Sequence, residues 1–455
     1  MTMDAGIPGP IATQGVRADA DAFLVAPLDE VSRERLAATG LHPGLVSVDD
    51  AEAYARWLQV VARGFLDGER SDEQIAASRE RGGYRRMTGI YDPSAPMPDS
   101  PVASIASWIG ELTVPGGRGI PSCAISAVTV APTHRRRGIA RAMLEGELRT
   151  AAAVGVPLAM LTVSESPLYG RYGFAPAAAS ASWHVDVKRA VWIGPRPGGR
   201  VDFIPRDRLR ELVAPLHERR RLAVAGEIDV PAAQWDAFAG TRPDSTDPGK
   251  TRAIQYTDEA GEVRGLALYS VRENEKDFTK STVTVTYLLA ETDDAYAALW
   301  RFFIELDLVG EVRAHELSVD EPLRWMISDQ RAATVMVADH QYVRILDVPT
   351  ALEARTFGAA GVVALEVSDV LGFAEGRWLL TVDDAGRGEV TTWEGSEAPA
   401  GAVAVSLGIE ELSAAYLGGV SLATLAAAGR VRSTDAASAA RVFGWHVTPR
   451  LSIWY

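Results

Sequence analysis

Cysteine is almost missing from this chain: Cys123 is the one thiol in 455 residues. A single cysteine excludes an intramolecular disulfide framework and suits a reducing compartment. Its setting in an apolar strand reads as a small buried hydrophobe. Histidine is also scarce, seven in all, with no pair at metal-ligand spacing, so no metal site is expected. No apolar run reaches the ~18 residues that a membrane span requires. Positive charge is in deficit: 46 Lys and Arg against 60 Asp and Glu leave a net charge of −14. That balance argues against a nucleic-acid partner, and no basic patch is interleaved with aromatics. It suits a cytoplasmic enzyme and favours cationic substrates. Met1 to Gln14 lacks the basic and apolar regions of a secretory signal and reads as a disordered leader.

The length exceeds what one core serves, so two or three domains are expected. The first region runs from about residue 45 to 190, after an extension, 1–44, that is expected to be partly disordered. Apolar spacing at Ala53, Trp57, Val60, Val61 and Phe65 predicts a helix over Asp49–Leu66. Apolar runs at Val102–Ile109, Cys123–Val130 and Leu158–Val163 read as strands, with a helix over Gly138–Ala153. The second region, 191–345, opens on a Pro/Gly-rich linker at Gly194–Arg200. Strands at Arg252–Thr257, Val263–Val271 and Ser281–Leu289, a helix at Asp293–Leu306 and a strand at Arg313–Leu317 then repeat the order of the first region. No basic glycine turn accompanies the repeat. The third region, 346–455, shows short strands and small-residue helices, and ends on an apolar terminus, Ile453-Trp454-Tyr455, that reads as buried.

Chemistry concentrates in Val128-Thr-Val-Ala-Pro-Thr-His-Arg-Arg-Arg-Gly-Ile-Ala140. A strand runs into a basic turn and then a helix, whose first N–H groups lack partners and carry partial positive charge. Gly138 and Ala140 remove bulk so that a pyrophosphate can approach the backbone. Arg135, Arg136 and Arg137 add charge to hold it. A solvated basic cluster is the alternative reading. Downstream stands Ser164-Glu-Ser-Pro-Leu-Tyr-Gly-Arg-Tyr-Gly-Phe174.

These motifs resemble the GNAT superfamily of N-acetyltransferases, whose Gln/Arg-x-x-Gly-x-Gly/Ala signature is matched by Arg135, Gly138 and Ala140. The resemblance implies acetyl-CoA as co-substrate, with Val128, Thr129 and Val130 pairing their backbone with the pantetheine arm. It places the pyrophosphate on Arg136, Arg137, Gly138, Ile139, Ala140 and Arg141, with Ser164 and Glu165 beside it. Leu168, Tyr169, Gly173 and Phe174 match a second GNAT element, Leu-Tyr-x-x-x-Gly-Phe. Tyr169 is the candidate general acid toward the coenzyme A thiolate, and Tyr172 is its rival.

Ala127–Met143, Leu168–Ala175, Asp320–Met326 and Val343–Pro349 together resemble the Eis (enhanced intracellular survival) family from about residue 45 onward. That resemblance implies an α/β (α+β) architecture: a catalytic GNAT domain, a degenerate GNAT-like domain, and a sterol-carrier-protein-like domain. It also implies a homohexamer that acetylates amines of small molecules, aminoglycosides among them. The carboxylate of the final residue, here Tyr455, would then act as general base; an ordinary tail is the alternative. Protein lysines or polyamines are alternative acceptors, and a lipid- or ligand-binding protein with a vestigial GNAT domain is the alternative class. Asp67 and Glu69, near the end of the first helix, could line the acceptor pocket or be solvated charges.

Overall fold

The computed structural model describes residues 14–242, 245, 248–395 and 397–455. The expected leader, except Gln14, lies outside them. The first domain contains α1 (Gln14–Val25), α2 (Glu30–Ala37), β1 (His42–Val46), α3 (Ala51–Gly64), α4 (Asp72–Arg81), β2 (Arg86–Tyr91), β3 (Ala103–Val114), β4 (Arg118–Val130), α5 (Ile139–Ala153), β5 (Leu158–Thr162), α6 (Ser166–Tyr169) and β6 (Ala175–Asp186). The second adds β7 (Arg200–Ile204), α7 (Arg206–Arg221), α8 (Ala232–Ala239), β8 (Thr251–Thr257), β9 (Val263–Arg272), β10 (Ser281–Ala290), α9 (Asp293–Ile304), β11 (Val309–Leu317), α10 (Leu323–Met326) and β12 (Ala333–Ile345). The third holds α11 (Val348–Ala354), β13 (Gly361–Ser368), β14 (Gly376–Val382), β15 (Gly388–Thr392), β16 (Val403–Gly408), α12 (Ile409–Ala415), α13 (Leu422–Ala427), β17 (Arg432–Ser433) and α14 (Ala436–Phe443).

Among the described residues, the first two domains share one twelve-stranded mixed sheet in the order β1-β2-β3-β4-β5-β12-β6-β11-β10-β9-β8-β7. The strand that closes the second domain, β12, therefore lies between β5 and β6 of the first and is antiparallel to both. The third domain has its own sheet, β15-β14-β13-β16-β17. The three-domain α/β architecture read from the sequence is the one observed.

Residues 14–46 are not an appendage to the catalytic domain, and the expected boundary at residue 45 falls inside β1. β1 pairs with β2 from His42↔Tyr91 to Val46↔Met87. Phe23 and Leu36 are buried in the core around α5. Ser32 Oγ donates to the Ala142 carbonyl at 2.6 Å. A Cβ at Gly146 would come within 2.7 Å of that Ser32 oxygen, so glycine lets α2 seat against α5. The segment's charged residues then bind it down: Arg149 pairs with Asp29 at 2.7 Å, and Arg35 with Glu145.

Side-chain alternation along the catalytic strands sorts the core. Ile105, Ile109, Cys123, Ile125, Ala159 and Leu161 face α5, while Trp108, Leu112, Ala124 and Met160 face the other way. That second face meets Leu209 and Trp235 of the second domain, Leu365 and Leu412 of the third, and Leu451, Ile453 and Tyr455 of the tail in one cluster. All three domains thus share a core, and the chain's last residue lies in it.

Candidate active site

Parallel pairing between β4 and β5 ends at Ala124↔Met160. A bulge follows, where the register against β3 shifts between Ser104 and Ala106 and Ala127 takes φ of 52°. Bulges bend a strand and increase its twist. Past it, β4 stays with β3, through Thr129↔Ser104 and Val130↔Ala103, while β5 stays with β12. The edge of β4 at Val128, Thr129 and Val130 that faces β5 is left without a strand partner among the described residues. Such an edge can pair with an extended amide-bearing arm. Thr129 is held from behind by Ser104, their hydroxyls 2.8 Å apart.

Beyond β4 the chain makes a 3-10 turn at Pro132–His134 and enters α5 through Arg136 and Gly138, with φ of 62° and 76°. Gly138 is the residue before the helix and supplies no side-chain cap. A Cβ there would meet no protein atom within 4 Å, so the space over the helix end is open. Uncapped N–H groups at an unobstructed helix start fit a pyrophosphate.

The arginines divide their work. Arg135 and Arg136 are exposed, whereas Arg137 donates to Asp92 at 3.1 Å and to the Thr39 carbonyl at 2.9 Å. Arg141 donates to Glu145 at 2.6 Å. Arg137, expected to add charge for the ligand, thus ties the loop to Asp92 and to the segment before β1. Asp92 completes the brace with Ser94 and His134, and these hydrogen bonds, with that of Arg137, hold its carboxyl well below the usual range.

Ser164 and Glu165 stand exposed just beyond β5. Tyr169 is buried on the α5 side of the sheet, its ring edge-on to Phe174 at 6.2 Å. Burial and then the Glu165 charge push its pKa up to about 12. The rival, Tyr172, is also buried in that core and its pKa is raised by burial. Gly173, with φ of 85°, turns the chain here; a Cβ would lie 2.6 Å from Arg344 Nε. Arg344 also donates to the Tyr172 carbonyl at 3.0 Å and pairs with Asp369 of the third domain at 2.7 Å.

On the opposite face of the sheet lies Tyr455. Thr162 Oγ1, at the end of β5, donates to its main-chain oxygen at 2.9 Å. Its ring packs edge-on against Trp108 at 5.5 Å, and its hydroxyl donates to Gln341 Oε1 at 3.3 Å. The terminus and Tyr169 thus lie on opposite faces of the sheet. Nothing in the local sequence marks Trp108, Thr162 or Gln341 as companions of Tyr455, because the fold alone joins them. Asp67 and Glu69 are exposed, Asp67 paired with Arg70 at 2.6 Å.

The second domain repeats this strand-helix-strand geometry with a different helix start. β10 and β11 are parallel from Ser281↔Val309 to Val285↔Ala314 and joined by α9, as β4 and β5 are joined by α5. At the start of α9, however, the Thr292 side chain accepts from the Ala295 N–H, and Asp293 and Asp294 occupy the first turn. A capped, acidic helix start repels an anion.

Residues 49–177 and 226–345 each match the acetyltransferase (GNAT) domain family, and 348–452 match the sterol carrier protein domain. The fold and these matches define a GNAT acetyltransferase, whose co-substrate is acetyl-CoA. An uncharacterized N-acetyltransferase of Streptomyces avermitilis is 36% identical over 396 residues, 85% of this chain and 91% of its own length. N-acetyltransferase Eis of Mycobacterium tuberculosis is 35% identical over 353 residues, 74% of this chain and 81% of that protein. The crystal structure of Eis1 from Mycobacterium abscessus superposes with a TM-score of 0.76 at 25% identity, covering 91% of this chain and 100% of that one. The chain belongs to the Eis family of GNAT acetyltransferases. No helix among the described residues is long and apolar enough to cross a membrane.

Proposed function

We propose that the protein transfers the acetyl group of acetyl-CoA to amines of small molecules, aminoglycoside-type or lysine-type, with the Tyr455 carboxylate as general base and Tyr169 as general acid. The observation that carries this is the seating of the chain terminus against Thr162 at the end of β5, across the sheet from Tyr169. Val128–Val130 would align the pantetheine arm, and the α5 N-terminus from Arg136 to Arg141 would hold the pyrophosphate, with Ser164 and Glu165 flanking. The substrate ammonium gives a proton to the Tyr455 carboxylate, since a chain-terminal carboxylate is ordinarily ionised at neutral pH. The freed nitrogen attacks the thioester carbonyl carbon, the C–S bond breaks, the sulfur receives a proton, and the nitrogen gives up its surplus proton to solvent to leave the neutral amide. With its pKa near 12, Tyr169 keeps its proton at neutral pH and donates it to the sulfur as negative charge builds there.

The test adds one glycine after Tyr455 and follows thiol release from acetyl-CoA with a panel of aminoglycosides and lysine peptides. Displacing the carboxylate is expected to lower turnover strongly while acetyl-CoA binding stays near normal. Unchanged turnover removes Tyr455 from the site. No thiol released by the native protein across the panel removes amine acetylation itself.

A further inference from the structure

The tail that carries Tyr455 does not rest on its apolar residues alone. Arg450 N–H donates to the Ala225 carbonyl at 2.9 Å. Beside that contact Gly226, with φ of 97°, leaves room that a Cβ would fill: it would lie 2.7 Å from the Arg450 oxygen. Next comes Glu227, 2% exposed. Its carboxylate accepts from Arg450 Nε at 3.1 Å, from Ser452 N–H at 3.2 Å and from Ser452 Oγ at 2.9 Å. One residue further along the tail, the His340 ring nitrogen Nε2 donates to the Ile453 carbonyl at 2.8 Å. Leu451 and Ile453 are fully buried between these polar anchors.

Glu227 is also tied to the catalytic sheet. The Gly226 N–H donates to the Thr113 carbonyl at 2.8 Å, and the Thr113 N–H to the Glu227 carbonyl at 2.8 Å. Thr113 is on β3, the strand of Trp108, against which the Tyr455 ring packs. The anchor and the aromatic seat of the last residue are therefore fixed to the same strand. Just upstream, His446, Val447, Thr448 and Arg450 of the tail line a pocket of about 320 Å³ with Leu288, Ala290, Leu317 and Ser318, where β10 and β11 diverge. In the second domain the tail thus passes through the place that the first domain offers to a cofactor.

We propose that Glu227 is a positioning residue for the acetyl transfer, fixing the tail at residues 450–452 so that the Tyr455 carboxylate reaches the β4/β5 split. This rests on the reading of Tyr455 as general base. Tyr455 lies three residue steps beyond Ser452, a span of ~10 Å in extended chain. Slack at the anchor is transmitted directly to the carboxylate, and a misplacement of ~1 Å in a catalytic group costs on the order of 10²-fold in rate. The degenerate domain would then serve the reaction by holding a proton acceptor in place rather than by binding substrate.

The test compares Glu227→Ala, Glu227→Gln, Ser452→Ala and deletion of Tyr455. The readouts are kcat and KM, acetyl-CoA binding, melting temperature, and release of tail residues by a carboxypeptidase. Glu227→Ala is expected to lower kcat on the order of 10²-fold with acetyl-CoA affinity unchanged, and to open the tail to digestion. Glu227→Gln, which keeps an oxygen toward Ser452, should restore part of kcat. If Glu227→Ala does not fold, Ser452→Ala carries the test: kcat should fall at unchanged melting temperature. Native kcat and a protected tail in the folded Glu227 and Ser452 variants, with deletion of Tyr455 still abolishing turnover, would overturn the positioning role. Native turnover after deletion of Tyr455 would instead remove the general-base reading, and this role with it.

Discussion

Gly138→Ala separates what the α5 entrance does for the protein from what it does for the ligand. The backbone there has φ of 76°, a region that costs an L-residue about 1 kcal/mol relative to glycine. The new Cβ meets no protein atom within 4 Å, so no clash adds to that cost. In a chain this long, the loss corresponds to a fall of about 2 °C or less in melting temperature. The methyl would, however, project over the helix N-terminus, where pyrophosphate oxygens would take up the free N–H groups. Each charge-assisted hydrogen bond forfeited there is worth about 1.5–3 kcal/mol. Losing one or two weakens acetyl-CoA binding on the order of 10²-fold. Calorimetric titration reads this directly, and acetyl-CoA should lose its stabilising shift of the melt. Gly155 supplies the control: φ is 79°, nothing lies within 4 Å of its Cβ position, and it follows the far end of α5. Gly155→Ala should cost the same stability and leave binding alone. Equal acetyl-CoA affinity in the two variants would refute the assignment of the α5 entrance as the phosphate site.

Burial raises the Tyr169 pKa to about 12, so its hydroxyl stays protonated well above neutrality. Turnover should therefore show no fall between roughly pH 8 and 10, and Tyr169→Phe should lower kcat by a similar factor, roughly 10²-fold, throughout that range. A descending limb near pH 8 that vanishes in the variant would contradict this. The sign for stability is the same: the unfolded tyrosine ionises near ~10 and the folded one later, so native stability is lost as pH rises between those values. Arg344 and Asp369 are an ion pair with side chains 0% and 1% exposed. Arg344→Met leaves the aspartate buried without its cation and should cost about 3–5 kcal/mol in urea unfolding. An unchanged unfolding midpoint would show that the pair is not a clamp between the third domain and the turn at Gly173.

Legibility followed locality. The β4-turn-α5 segment is specified by residues adjacent in the chain, and the helix expected over Gly138–Ala153 is found at Ile139–Ala153 with Gly138 before it. The apolar terminus was legible as well, although Trp454 is 50% exposed while Leu451, Ile453 and Tyr455 are buried. Helix α7 was hidden because its sequence is dominated by charge and contains Pro215, which breaks a helical pattern. Strand β6 was hidden by its small residues, Ala175-Pro-Ala-Ala-Ala-Ser-Ala-Ser, which lack β-branched and aromatic side chains. The seat of β12 between β5 and β6 has no local signature, since either neighbour is more than 140 residues away in the chain. Arg137 shows the limit at the site itself. Sequence counts it among the phosphate-facing charges, but Asp92, 45 positions earlier, captures it.

The borrowed strand decides what can be done with this chain in pieces. A catalytic fragment ending near residue 190 would include β5 and β6 but neither β12 nor β11, baring one edge of β5 and both edges of β6, which invites association with other chains. It would also lack the terminus that the full chain returns to Thr162. The two units that match the GNAT domain family are therefore expected to fail when expressed or exchanged as independent modules. Any ancestral duplication has become irreversible, because each half now completes the other.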